Sequence, residues 1–146
     1  MKKTALWLLF VGLIGQLNAS ENLWYPYKSG VGADGYDLIS YFDGNGPQKG
    51  SATYSAEYDG VTWHFRNAKN RDQFLEDPAR YTPQYGGYCA YAAAKRSKAY
   101  GDPTAWTLHK GKLYFNYNRL ARRIWEGDID TFIPRGDKYW SGLLDR

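Results

Sequence analysis

The pattern of apolar and polar positions along the chain predicts two hairpins and a set of short helices. Val61, Trp63 and Phe65 alternate with Thr62, His64 and Arg66, the period of a strand with one buried face. Ala52 to Tyr58 reads as its partner, and the intervening Asp59-Gly60 supplies the positive backbone angles of a two-residue turn. His64 is thereby expected on the more polar face. A second hairpin is expected from Trp106 to His109, a turn at Lys110-Gly111, and Lys112 to Asn116. Asn67 is placed to cap a helix from Ala68 to Glu76 that turns Phe74 and Leu75 inward and ends at Asp77-Pro78. The alanines of Cys89 to Lys95 predict a further helix with Cys89 at its start. Leu120, Ala121, Ile124 and Trp125 fall at helical spacing, as do Ile129, Phe132 and Ile133, and later Trp140, Leu143 and Leu144.

Between these elements, Ser20 to Gly35 is loop-like, with Leu23, Trp24, Tyr25 and Tyr27 reading as an arm laid across the domain. Gly35 to Phe42 is a short apolar segment, and Asp43 to Gly50 is turn chemistry throughout. Strands come first and helices mostly last, with no repeat and no low-complexity tract. The expected class is α+β, a single domain of small antiparallel hairpins packed against several short helices.

Composition alters this picture at the N-terminus. Of 146 residues, 43% are hydrophobic and 23% charged, a globular balance. The first 19 read as a signal peptide: Lys2 and Lys3 lead an apolar run from Ala5 to Ile14, and Ala19 closes a small-residue cleavage site. The run is too short to span a membrane. The organisation expected is a signal peptide over 1–19, an N-terminal arm over 20–34, and a domain over 35–146 with a C-terminal helical extension. The exported chain is expected to be periplasmic or secreted, with no membrane span. Its formal charge falls from +4 to +2 once Lys2 and Lys3 are removed. Without a basic stripe, nucleic acid is not an expected partner.

Candidate chemistry is sparse. Cys89 is the single cysteine, so no internal disulfide can form. At a helix start after Gly86-Gly87, its thiolate would be stabilised by backbone N–H groups and its pKa lowered. A buried apolar role, a metal ligand and a reactive thiol all remain open for it. One thiolate with His64, His109 or both suits Cu(I), which prefers soft sulfur. Asp34 and Asp37, and Asp128 and Asp130, are close enough in sequence for acid and base work, although caps and turns account for them more simply. Tyr85, Tyr88 and Tyr91 could form an exposed aromatic surface for a ligand or a protein, in which case Cys89 should be buried. Neither a nucleophile elbow, a phosphate loop, H-E-x-x-H nor C-x-x-C occurs, which lowers the expectation of an enzyme.

Three segments carry a family likeness: GYDLISYF from Gly35, EYDGVTWHF from Glu57, and NAKNRDQFLEDPARYTPQYGGYCAYA from Asn67, continuing into GDPTAWTLHKGKLYFNYN from Gly101. They resemble the YHS domain proteins, and in particular the longer exported members. The resemblance covers Gly35 to Trp125. It implies metal handling, with copper as the candidate cofactor and a metal ion or a periplasmic metal-handling protein as the candidate partner. The cysteine positions of the short metal-binding members read Ser40 and Arg66 here, so that thiolate pair does not carry over. Cys89, His64 and His109 are left as the candidate metal ligands.

Overall fold

The computed structural model describes residues 23–145, so the predicted signal peptide lies outside the described residues. The elements are α1 (Leu38–Phe42), β1 (Ser51–Tyr58), β2 (Val61–Phe65), α2 (Ala68–Glu76), α3 (Pro78–Tyr81), α4 (Ala90–Ala94), β3 (Asp102–His109), β4 (Lys112–Asn116), α5 (Arg119–Glu126) and α6 (Ile129–Leu144). Strands β1 and β2 form one antiparallel pair and β3 and β4 another. The architecture is α+β, a mixed single-domain arrangement of helices and two small antiparallel sheets, as the patterning predicts. Among the described residues, no helix is long and apolar enough to cross a membrane.

Both hairpin turns form as expected, with Asp59 and Gly60 at φ +50° and +75°, and Lys110 and Gly111 at +48° and +74°. Asn67 caps α2 by accepting the Asn70 N–H, and Phe74 is buried. Leu75, expected to face inward, is 48% exposed. The interior is already filled at that level by Phe74, which packs against Tyr58, Trp63 and Phe65. The C-terminal apolar clusters join into one helix, α6, that runs through Pro134 and Gly136. Gly136 fits because a Cβ there would come within 2.6 Å of the Tyr85 hydroxyl.

Contrary to the sequence reading, the chain contains an internal repeat. Gly32–Gly35 forms a 3-10 turn with three consecutive positive φ angles, and Gln84–Gly87 forms the same turn 52 positions later. Each leads through a capping side chain, Asp37 or Cys89, into a five-residue helix, α1 or α4. Thereafter the offset is 51. The Asp37 N–H donates to Gln48 O and the Cys89 N–H to Ala99 O. The register irregularity falls between Ser51 and Ser55 in β1, and between Asp102 and Trp106 in β3. Asn118 caps α5 as Asn67 caps α2. Each half is a turn, a short helix, a hairpin and a capped helix. The identities that survive are the ones backbone geometry demands, such as Gly60 with Gly111 and Asn67 with Asn118, while core partners have drifted, Phe74 to Trp125 and Trp63 to Tyr114.

Strand β4 joins the halves. Its Leu113 and Phe115 belong to the core containing Leu38, Tyr41, Trp63, Phe65 and Phe74, whereas Tyr114 faces the core containing Tyr85, Ala90, Ala93 and Trp125. Burial on both faces explains why its sequence is an unbroken run, Leu113-Tyr114-Phe115, instead of an alternation. The N-terminal arm is tied down at three points. The Tyr25 N–H donates to Gly86 O, Trp24 Nε1 donates to Asp59 at 2.8 Å, and the Tyr27 hydroxyl donates to Gly101 O at 2.6 Å.

Candidate functional site

The two capping side chains show what each half does with the same geometry. Asp37 is fully buried. Its Oδ1 accepts the Ile39 N–H, and its Oδ2 accepts the Arg66 N–H and the Asn70 side-chain amide, each at 2.8 Å. A buried carboxylate so satisfied is structural. Asp34 pairs with Lys49 at 3.6 Å, Asp128 stands at the cap position of α6 and Asp130 in its first turn. Asp37 therefore serves as a cap and Asp34 in a surface pair, whereas the Asp128 side chain makes no capping bond to α6.

In the second half Cys89 occupies the position of Asp37. Its Sγ accepts the Ala92 N–H at 3.4 Å, and the N–H groups of Tyr117 and Tyr91, which correspond to those of Arg66 and Ile39, also point at the sulfur. Asn70, the third donor to Asp37, is replaced by Ala121. The amide that closes the first site is thus missing from the second, and a groove of about 440 Å³ opens there between α4 and α5. Cys89 and Ala121 line it together with Tyr91, Lys95, Tyr117, Leu120 and Ile124. A third substitution accompanies these two: Phe65 becomes Asn116, fully buried, whose Oδ1 takes the Cys89 thiol at 3.5 Å and the Tyr91 N–H at 2.9 Å. The Asn116 Nδ2 has no acceptor. The polar exceptions of the second half therefore gather beneath the groove.

Cys89 is 1% exposed. Burial pushes its thiol above the ordinary range, outweighing the backbone N–H groups of Ala92, Tyr117 and Tyr91 that favour the thiolate. The expected lowering at a helix start does not occur, because α4 is only five residues long and the sulfur lies inside the fold. The folded thiol ionises at higher pH than the unfolded one, so it adds stability below the ordinary thiol range and loses that contribution as pH rises through the folded pKa. At pH 8, iodoacetamide should modify the native chain about 100-fold more slowly than the chain in guanidinium, because the thiol is buried and its ionisation is displaced to higher pH. Equal rates in the two states would show an accessible, activated thiol instead.

The structure does not bring the three predicted metal ligands together. His64 lies half-buried on β2 beside Gly35, in the first half. His109 ends β3 and lines a separate hollow with Tyr114, Ile129, Ile133 and Pro134. No histidine or carboxylate lines the groove over Cys89, and among the described residues no three His, Cys, Asp or Glu side chains converge as a metal site would require. The donor set around Cys89 thus does not fit a copper centre of one thiolate and two imidazoles.

The expected aromatic surface is also displaced. Tyr85 is buried, its hydroxyl donating to Asp137 at 2.9 Å, and Tyr88 and Tyr91 are half-buried against Trp140 and Phe132. Exposed apolar side chains gather instead at the groove, where Leu120 (65%), Tyr117 (53%) and Ile124 (44%) stand together, while Leu75, Tyr100 and Leu108 are exposed away from it. Sequence reasoning missed Asn116, Ala121 and Ile124 as site residues, since only alignment of the two halves reveals them as departures.

Comparison with known protein families, curated proteins and solved structures finds no match to this chain.

Proposed function

We propose that the chain is an exported YHS-type domain acting as a non-catalytic binding module, and that the groove over Cys89 is its working site. One observation carries this reading. The same framework is built twice, closed by Asn70 in the first half and open at Ala121 in the second. The same framework can thus carry an amide that binds the capping side chain, and its replacement by Ala121 over Cys89 leaves space suited to an occupant. An open apolar channel with few polar groups suits binding of apolar matter better than acid and base chemistry, for which the groove offers no imidazole or carboxylate.

The first half supplies the test. Anilinonaphthalene sulfonate should bind the parent chain with enhanced fluorescence, and Ala121→Asn, which restores the amide found at position 70, should weaken that binding at least about 10-fold. The melting temperature of the variant should stay within a few degrees of the parent, because the first half already accommodates this side chain. Equal dye binding by Ala121→Asn would refute the assignment of the groove.

A further inference from the structure

Three positions on the outer surface of α5 are more apolar or more basic than their counterparts in α2, while exposed Leu75 changes the other way, to Glu126. At matching positions Lys69 becomes Leu120, Gln73 becomes Ile124 and Asp72 becomes Arg123. In α2 Lys69 and Asp72 are exposed, with Asp72 paired to Arg71 at 3.1 Å, and Gln73 is half-buried with its amide donating to the Tyr81 hydroxyl at 3.2 Å. The first half thus shows that the framework does not require aliphatic side chains there. Leu120 and Ile124 are nevertheless exposed, at i and i+4 on one side of α5.

Cations flank this apolar ridge. Arg119 and Arg123 are exposed on the same helix, one turn apart, and Lys95 lines the groove from α4. The single acidic residue of α5, Glu126, shares a neighbouring hollow with Arg119, Arg122 and Arg123, where its carboxylate is held by Arg122 at 2.8 Å and Thr107 at 2.6 Å. The groove lining contains no carboxylate, so the face meeting a partner is apolar and positively charged.

We propose that this face docks on an anionic lipid surface, with Leu120, Ile124 and Tyr117 among the acyl chains and Arg119, Arg123 and Lys95 against the phosphates. The inference rests on the groove reading and names its occupant. Apolar side chains that project beyond the surface, interleaved with arginines one turn apart, are the arrangement of a helix lying in a bilayer interface. A groove for an extended peptide would need polar groups to pair with its backbone, and this lining supplies few.

Every contact described lies within residues 23–145, so the chain from Ser20 is the form to test, by flotation with vesicles of phosphatidylglycerol and phosphatidylcholine in equal parts or of phosphatidylcholine alone. The parent should float with the anionic vesicles and not with the neutral ones. Leu120→Lys with Ile124→Gln, the residues carried by α2, should reduce flotation at least about 10-fold, and Arg123→Asp should reduce it as well. Circular dichroism melts establish that the variants are folded. No preference for anionic vesicles overturns the proposal, as does undiminished flotation of the Leu120→Lys, Ile124→Gln chain, which would mean charge adsorption alone. Dye binding that Ala121→Asn removes, in a parent that ignores vesicles, refutes the lipid surface and leaves the groove to a different occupant such as a protein segment. Loss of both refutes both.

Discussion

Replacing Asp37 with alanine should lower the unfolding free energy by about 3–5 kcal/mol. The change removes one carboxylate and leaves the Ile39 and Arg66 N–H groups and the Asn70 amide buried or half-buried without their acceptor. These donors belong to three elements, the start of α1, the end of β2 and the first turn of α2, so the loss reaches the whole first half. A domain of this size has about 5–15 kcal/mol in total, which makes the variant marginal at physiological temperature. Urea unfolding followed by tryptophan fluorescence measures the effect as a shift in midpoint at similar slope. Asp37→Asn should recover only part of the loss, because its amide turns one acceptor into a donor aimed at other donors. A midpoint within the error of the parent would show that the carboxylate is not the tie described.

The second large effect is expected at Gly101, which has no unusual backbone angle and is limited by space alone. A Cβ there would stand 1.8 Å from the Gly87 carbonyl oxygen and 2.9 Å from its carbon, far inside any tolerable contact. Gly87 is the last residue of the turn that presents Cys89, and Gly101 O also receives the Tyr27 hydroxyl. Backbone on both sides must therefore shift, and Gly101→Ala should cost about 3 kcal/mol, the upper part of the range for overpacking. Gly111→Ala is the control. Its Cβ meets nothing within 4 Å, and only the positive φ of +74° resists the substitution, a penalty of about 1 kcal/mol. Parallel thermal melts should rank the two clearly, and equal melting temperatures would disprove the close approach.

The hairpins and the α2 cap were legible because their signals are local. Asp59-Gly60, Lys110-Gly111, Asn67 and Asn118 each dictate a few dihedral angles or one hydrogen bond. Leu75 was misread because helical spacing gives a stripe wider than the space beneath it, and Phe74 alone fills that space. The helical spacing of Ile129, Phe132 and Ile133 and of Trp140, Leu143 and Leu144 was legible, but not their union in one helix, since Pro134 and Gly136 between them ordinarily disfavour helix. The repeat stayed hidden because side chains that satisfy the same framework need not look alike: a carboxylate and a thiol both accept the same N–H groups, and a phenylalanine and a tryptophan fill the same corner. The candidate site was half legible. Cys89 could be picked out as the only thiol, but its neighbours Asn116 and Ala121 gain meaning only beside Phe65 and Asn70.

Strand β4 packs against both cores with alternate residues, Leu113 and Phe115 on one side and Tyr114 on the other. Neither half has a complete interior without it, so the duplicated halves are not independent folding units and must melt as one. Whatever settles over Cys89 thus raises the free energy of unfolding for the entire molecule, including the distant Asp37 cap, by an amount set by its affinity and concentration. The donors gathered on the Asp37 carboxylate thus lend their cohesion to the half that holds the groove, through the one strand that both interiors share.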